Sequence, residues 1–335
     1  MVSPVILIGL PRSGSTLLSR VINESLNCFL INDFYYLQYV DSINGYRRQD
    51  SEAKALMVDF VVDQLRNRTR PTDLDDEVWF GLPFSEAQLA EIDQFASSYK
   101  ADSAQKNWAQ ILNDIMTFGA QLSGKPIWGY NTPQDYLNVD AIVEQFPDAK
   151  FVFLLRSPLK TLLSYKYYWT VIPKFRNERG RYHPVIQSLA WKTCVNSYLA
   201  LKQRYGDSRF TLVKFEEFIS DPDKVIDQLS QFAGLSFLSV DISQFGHNSS
   251  MKKDAQGVKV LTSLEEAICR SLTKKERTAL NYEISPAKKA SITDVADLAV
   301  TTGRNAIFYL SQFIFSKDVR KRMLRFAKKL AATES

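Results

Sequence analysis

The stretch Gly9-Leu10-Pro11-Arg12-Ser13-Gly14-Ser15-Thr16 gathers what a bound anion requires: two glycines, one cation and three hydroxyls. Glycines let consecutive backbone N–H groups turn toward a negative group, and a helix opening at that point adds its positive end. The spacing is that of a nucleotide P-loop, Gly-x4-Gly-Lys-[Ser/Thr], with one replacement. Ser15 stands in the lysine position, and the cation has moved into the loop as Arg12. ATP and GTP loops use that lysine on the terminal phosphates and a hydroxyl on Mg²⁺, so its loss argues against an NTPase. The plainer alternative is a Gly/Ser-rich turn.

A second constellation is Phe151-Val-Phe-Leu-Leu-Arg156-Ser-Pro-Leu-Lys-Thr-Leu-Leu-Ser164. It places an arginine at the end of an apolar run and a serine within the helix that follows. A guanidinium makes paired, charge-assisted hydrogen bonds to phosphate, and a hydroxyl can donate one more. Taken alone, the pair also fits a capped surface helix. Other chemistries find few residues to use. Cys28, Cys194 and Cys269 form no Cys-x-x-Cys pair and read as reduced, packed thiols. With only His183 and His247, a histidine-built zinc site is excluded, and no metal is expected.

The elements that must position these groups are legible around them. Val5–Leu10, Phe151–Leu155 and Phe210–Phe215 are short, apolar and bounded by turn residues, as buried parallel strands are. Thr16 to Asn23 continues the first strand as a helix. Pro158 opens another helix, running through Tyr168, with Ser157 available as its cap. Val185–Arg204 is a further helix. Pro222–Ala233 begins after Ser220-Asp221 and stops at Gly234. This alternation predicts an α/β fold: a central parallel sheet flanked by helices, of P-loop nucleotide-binding type. Residues 34–123 read as a largely helical insert after the first helix, serving as a lid, an acceptor-binding element or plain scaffold. Residues 235–305 carry little pattern, and Phe237–Gly257 looks like a long loop. The expected organisation is one α/β domain over residues 1–316, followed by a basic amphipathic helix over 317–335.

Pro11-Arg-Ser-Gly-Ser-Thr16 after a buried strand resembles the 5′-phosphosulfate loop of sulfotransferases that use 3′-phosphoadenosine 5′-phosphosulfate (PAPS). The likeness is to the arginine-type branches, the tyrosylprotein and many bacterial or carbohydrate enzymes. It implies that the backbone of Ser13, Gly14, Ser15 and Thr16, with the Ser15 and Thr16 hydroxyls, binds the 5′-phosphate. Arg12 would then reach the oxygen bridging phosphate and sulfate. Arg156 and Ser164 match the pair that clamps the 3′-phosphate in that family. Ile127-Trp-Gly-Tyr-Asn-Thr-Pro133 with Phe146-Pro-Asp-Ala, and Phe210-Thr-Leu-Val-Lys-Phe-Glu-Glu217 with Asp221-Pro222 and Gly234-Leu235, resemble two further family stretches.

Two positions depart from the family pattern. Asn131 stands where many relatives carry lysine, leaving Lys125, Lys252 or Lys253 to supply a cation. Phe215 stands where relatives place a tyrosine against the adenine, which keeps the ring and loses the hydroxyl. The family also needs a base. Tyr130-Asn131-Thr132 offers no histidine, whereas the tyrosylprotein branch has a glutamate 21 residues after its loop arginine, a step that lands here on Asp33. Glu24 is the fallback. Phe34, Tyr35, Tyr36 and Tyr39, and Tyr165, Tyr167, Tyr168 and Trp169, either line an acceptor pocket or belong to the core. The basic residues Lys174, Arg176, Arg179 and Arg181 read as solvated loop charge or as contacts to an anionic acceptor.

Charge sets the remaining limits. The net charge is +5, and residues 317–335 hold all of it, with seven basic residues against Asp318 and Glu334. The remainder is balanced, so nucleic acid is not an expected partner. Val319, Met323, Phe326 and Leu330 recur in the tail at helical spacing, which suits docking on the chain's own domain or a weak membrane-surface contact. No apolar run reaches the length of a membrane span, and Val5–Leu10 begins too close to Met1 for a signal peptide. The expected protein is soluble and cytoplasmic. It would move a sulfuryl group from PAPS to a small-molecule, lipid or glycan hydroxyl and release adenosine 3′,5′-bisphosphate. A P-loop kinase or NTPase, or a non-catalytic nucleotide-binding protein of the same fold, are the alternatives.

Overall fold

The computed structural model describes residues 3–42, 50–69, 84–133, 135–168, 179–236, 238–239, 241, 259–282, 289–316, 320, 323–324, 326–327 and 331. Its elements, in chain order, are β1 (Val5–Gly9), α1 (Ser15–Ser25), β2 (Cys28–Ile31), α2 (Tyr36–Ser42), α3 (Ser51–Thr69), α4 (Glu86–Asp102), α5 (Trp108–Leu122), β3 (Ile127–Thr132) and α6 (Val139–Gln145). There follow β4 (Lys150–Leu155), α7 (Pro158–Tyr167), α8 (Pro184–Tyr205), β5 (Phe210–Lys214), α9 (Phe215–Ser220), α10 (Pro222–Ala233), α11 (Ser263–Leu272), α12 (Lys274–Ala279) and α13 (Ile292–Phe315). The chain divides into two compact units, residues 1–154 with 201–246, and residues 155–200 with 247–335.

The expected α/β architecture is present. Five strands form one parallel sheet in the order β2-β3-β1-β4-β5, with helices flanking it. β1 lies at the centre, paired on one side as Ile8↔Thr132 and on the other as Gly9↔Leu154. Burial on both faces explains its unbroken apolar run. Strand order reverses at β1: the chain first builds β2 and β3 on one side, then β4 and β5 on the other. In open α/β sheets the crevice at such a reversal, beyond the carboxyl ends of the strands, is where ligands bind.

Alternation sorts the two faces of the first unit. Val5 and Leu7 pack with Leu18, Val21 and Ile22 of α1 and with Val225, Ile226 and Leu229 of α10. On β3 the large rings Trp128 and Tyr130 are fully buried. A Cβ on the intervening Gly129 would run into the Val5 carbonyl, so only glycine lets β3 approach β1 at that point. Among the described residues of 34–123 the elements are helices, and α4 and α5 each open with a reciprocal capping box, Ser85 with Gln88 and Asn107 with Gln110.

The structure adds what the sequence reading lacked. β2 is a four-residue edge strand directly after α1, entered through Asn27 at φ +50. α13, 24 residues long, begins inside the stretch read as weakly patterned and runs beyond its end. Ser157 stands at the N-cap of α7, but its side chain makes no capping bond. The segment Phe237–Gly257, apart from residues 238–239 and 241, and most of the basic tail lie outside the described residues.

Candidate active site

The loop between β1 and α1 is built by three local devices. Ser13 folds back on Leu10, whose carbonyl accepts both the Ser13 N–H at 3.1 Å and its hydroxyl at 2.7 Å. Arg12 and Gly14 take left-handed backbone conformations, φ +71 and φ +95. Gly14 is then the N-cap of α1, with no side-chain cap and no acidic residue in the first turn. The N–H groups of Gly14, Ser15, Thr16 and Leu17 are those a helix leaves outside its own ladder, which begins here with Leu18 N–H to Gly14 C=O at 3.2 Å. The Ser13 N–H closes this turn on Leu10 C=O, and the N–H groups of the helix start begin at Gly14. A left-handed arginine costs about 1–3 kcal/mol, a strain of the kind that clusters at binding sites.

Phe215 braces the loop from below. Its ring belongs to the core under the sheet, is 8% exposed, and fills the space a Cβ on Gly14 would need. It packs edge-on to Phe218 with ring centres 6.4 Å apart. Whatever it does toward a base, the ring supports the loop at Gly14.

Asp33 leaves the end of β2 at φ +54, half-buried, on the same carboxyl edge of the sheet as the loop. Two strand spacings separate β2 from β1, about 10 Å. The turn is fixed from several sides. Phe34 N–H donates to Asn131 C=O at 3.0 Å, and Asn131 Nδ2 donates to Asn32 Oδ1 at 2.5 Å. Ser19 Oγ, which donates to Ser15 C=O at 2.7 Å, also reaches Asn32 Oδ1 at 3.4 Å. A chain of polar contacts thus runs from the first turn of α1 through Asn32 to Asn131. It holds the residue that carries Asp33 in register with the loop.

Arg156 and Ser164 belong to the second unit. Arg156 directly follows β4, and its carbonyl accepts Trp191 Nε1 at 2.9 Å and Thr161 Oγ1 at 3.4 Å. Those bonds fix the backbone where α7 begins, and both Arg156 and Ser164 are half-buried.

The profile of the Sulfotransferase family matches residues 4–239, a span that includes every residue just described. The chain belongs to the sulfotransferase family. No curated protein sequence matches it. Solved structures similar to it include the sulfotransferase domain from the curacin biosynthetic pathway, 15% identical over 84% of this chain and 99% of that one, with a TM-score of 0.47. Sulfotransferase STF9 from Mycobacterium avium is 16% identical over 85% and 78%, with a TM-score of 0.46. Mouse sulfotransferase SULT7A1, solved with PAP, is 13% identical over 96% and 88%, with a TM-score of 0.38. Likenesses this distant carry no site residue across.

Within the sulfotransferase, the other candidates find their places. Lys125 lies two residues before β3, at the opposite edge of the sheet from the loop, and its Nζ donates to Asn23 C=O at 3.0 Å. It cannot supply the cation missing at position 131, while Lys252 and Lys253 lie outside the described residues. Asn131 is fully buried, and its Oδ1 has no hydrogen-bond partner among the described residues. Glu24 sits at the far end of α1, exposed and 3.7 Å from Arg20. That is roughly 13 Å along the helix from the loop, which removes it as a base.

The aromatic clusters are mostly core. Phe34 and Tyr36 are fully buried, Tyr36 donates to Gln145 at 2.5 Å, and Tyr39 stacks on Phe60 at 3.9 Å. Tyr165 packs against Leu162, Tyr182 and Cys269. Arg181 lies over the Phe308 ring at 5.8 Å, while Lys174, Arg176 and Trp169 fall outside the described residues. Burial pushes the Cys28 thiol up to about 12, with Lys125 acting in the opposite sense. All three cysteines are buried thiols.

Sequence reasoning passed over Asn32 and Ser19, which position Asp33. Their only signal was a pair of ordinary polar residues 13 apart, and nothing local marks such a pair.

Proposed function

We propose that this sulfotransferase uses PAPS as donor and moves its sulfuryl group to the hydroxyl of a small-molecule, lipid or glycan acceptor. The observation that carries the reading is the loop itself. An uncapped helix start, entered through a left-handed arginine and a glycine braced by Phe215, is shaped for an anion and lies inside the family match. The residues present fit a phosphosulfate: N–H donors from Gly14 onward, two hydroxyls, one guanidinium and no carboxylate in the first turn.

In the proposed chemistry the acceptor oxygen forms a bond to sulfur as the bond from sulfur to the bridging oxygen breaks. Negative charge then grows on the leaving phosphate, as in phosphoryl transfer. The N–H groups of Gly14, Ser15 and Thr16 and the Arg12 guanidinium would stabilise that charge without reorganising, because the loop is already folded. Asp33 would take the acceptor's proton, completing the balance. Arg156 and Ser164 are assigned to the donor's 3′-phosphate on their order and spacing in the chain, and Phe215 acts by holding Gly14. We infer a cytoplasmic setting from three buried cysteines that remain thiols.

The test is thermal stability with adenosine 3′,5′-bisphosphate, without divalent metal, beside ATP with Mg²⁺. Ligand at 100 times its dissociation constant should add about 2.7 kcal/mol. Stabilisation by ATP with Mg²⁺ alone would sink the donor assignment. Bisphosphate binding with no sulfated product by mass spectrometry, across alcohol, phenol and sugar acceptors, would mark a binding protein.

A further inference from the structure

The second unit carries a helix turned inside out. Along α13, the residues Ile292, Val295, Val300, Ile307, Leu310 and Ile314 are all exposed, Ile292 at 90%, Ile307 at 73% and Leu310 at 62%. Their steps of three, five, seven, three and four residues keep them on one broad face of the helix, so they form one stripe along it. Ala299, Gly303 and Ala306 lie between them and are exposed too. The stripe contains no charged side chain along 24 residues, about 36 Å.

Part of the polar side of α13 contacts the protein, while Asp297 beside the stripe stays exposed. Asn305 Nδ2 donates to Gly180 C=O at 2.8 Å, Thr302 Oγ1 lies 3.0 Å from His183 Nε2, and Phe308 packs under Arg181 and against Gly180. Asp294 is occupied in the capping box with Ser291. The helix is thus anchored by its polar face and presents its apolar one. A continuous exposed apolar area of this length marks an interaction site.

We propose that α13 docks this protein on an anionic lipid surface, lying in the plane of the membrane. Two observations choose lipid over a protein partner. The stripe offers no hydrogen-bonding side chain, whereas protein interfaces carry about one hydrogen bond per 100–200 Å² and a polar rim; a bilayer asks for none. The charge that follows is complementary. Seven basic residues stand against two acidic ones in residues 317–335, the stretch that follows the helix in sequence. Arg320 is one of the seven, with its guanidinium over the exposed Phe313 ring at 5.7 Å. Among the described residues no helix is long and apolar enough to cross a membrane, so α13 lies on the surface.

The experiment is flotation of the full chain with vesicles of phosphatidylcholine alone and of phosphatidylcholine with about a third phosphatidylglycerol. The paired variant Ile307→Asp/Leu310→Asp is run alongside. Both residues are exposed, so circular dichroism and melting should stay as in the parent. The parent should float with the anionic vesicles, and the paired variant should lose about tenfold or more of that partition. Raising salt from low to about 0.5 M should weaken binding, because the Debye length shrinks. No binding to anionic vesicles, or equal binding by the paired variant, overturns the proposal. So does a stable dimer in light scattering that the same pair of aspartates dissociates, which would make the stripe an interface between two copies.

Discussion

Replacing Gly14 by alanine tests whether the loop is held from the core side. Two costs are separable. At φ +95 an L-residue is in left-handed territory, and alanine there costs about 1–2 kcal/mol relative to glycine. The new Cβ also meets the Phe215 ring, which is embedded in the core and cannot simply swing away. Overpacking of that kind costs about 1–3 kcal/mol. Gly14→Ala should therefore lose about 2–5 kcal/mol in urea denaturation and weaken adenosine 3′,5′-bisphosphate, because the anion-facing N–H groups begin at Gly14. Phe215→Leu removes the ring edge at a smaller cost. In the Gly14→Ala/Phe215→Leu double variant only the backbone cost should persist, giving a coupling of about 1–3 kcal/mol. Calorimetry of bisphosphate binding on all four proteins separates loop shape from stability. Additive effects, with coupling near zero, would show that Phe215 does not brace Gly14.

Asp33→Asn should keep donor affinity and lower turnover of an alkyl alcohol by roughly 10²–10⁴-fold, with a smaller defect for phenols, whose proton leaves more readily. Near-normal turnover of the alkyl acceptor would remove Asp33 as the base. Arg156→Ala should weaken PAPS by about 1.5–3 kcal/mol and adenosine 5′-phosphosulfate hardly at all; equal losses would show that Arg156 does not read the 3′-phosphate. Asn131→Lys, which restores the commoner family residue, should lower stability and turnover together, because the side chain is fully buried and bonded to Asn32. Higher activity in that variant would show that the Asn131–Asn32 link is dispensable.

The parts of the fold written in local signals were legible. α10 runs from Pro222 to Ala233, with Asp221 Oδ1 accepting Lys224 N–H at 3.3 Å and Gly234 at φ +68. Both features depend on a few neighbouring residues. α7 and α8 begin at Pro158 and Pro184 for the same kind of reason. β2 was missed because Cys28–Ile31 is four residues long and follows a helix without glycine or proline between them; its pairing with β3 alone makes it a strand. α13 was missed although Ser291 and Asp294 form its capping box, because Thr301, Thr302, Gly303 and Asn305 interrupt its apolar residues along the chain.

The sequence by itself determined the loop at Gly9–Thr16, the β–α alternation around it and the family. Backbone freedom at Gly14, a helix start and an apolar strand are properties of adjacent residues, and they survive transfer from one chain to another. Tertiary structure alone decided what Phe215, Asn131 and Asn32 do. Phe215 meets Gly14 only because β5 and α9 return beneath the loop, and Asn131 meets Asn32 across 99 residues of chain. Contacts of that kind arise when a sheet closes and buried polar groups must find partners within it. No spacing along the chain encodes them.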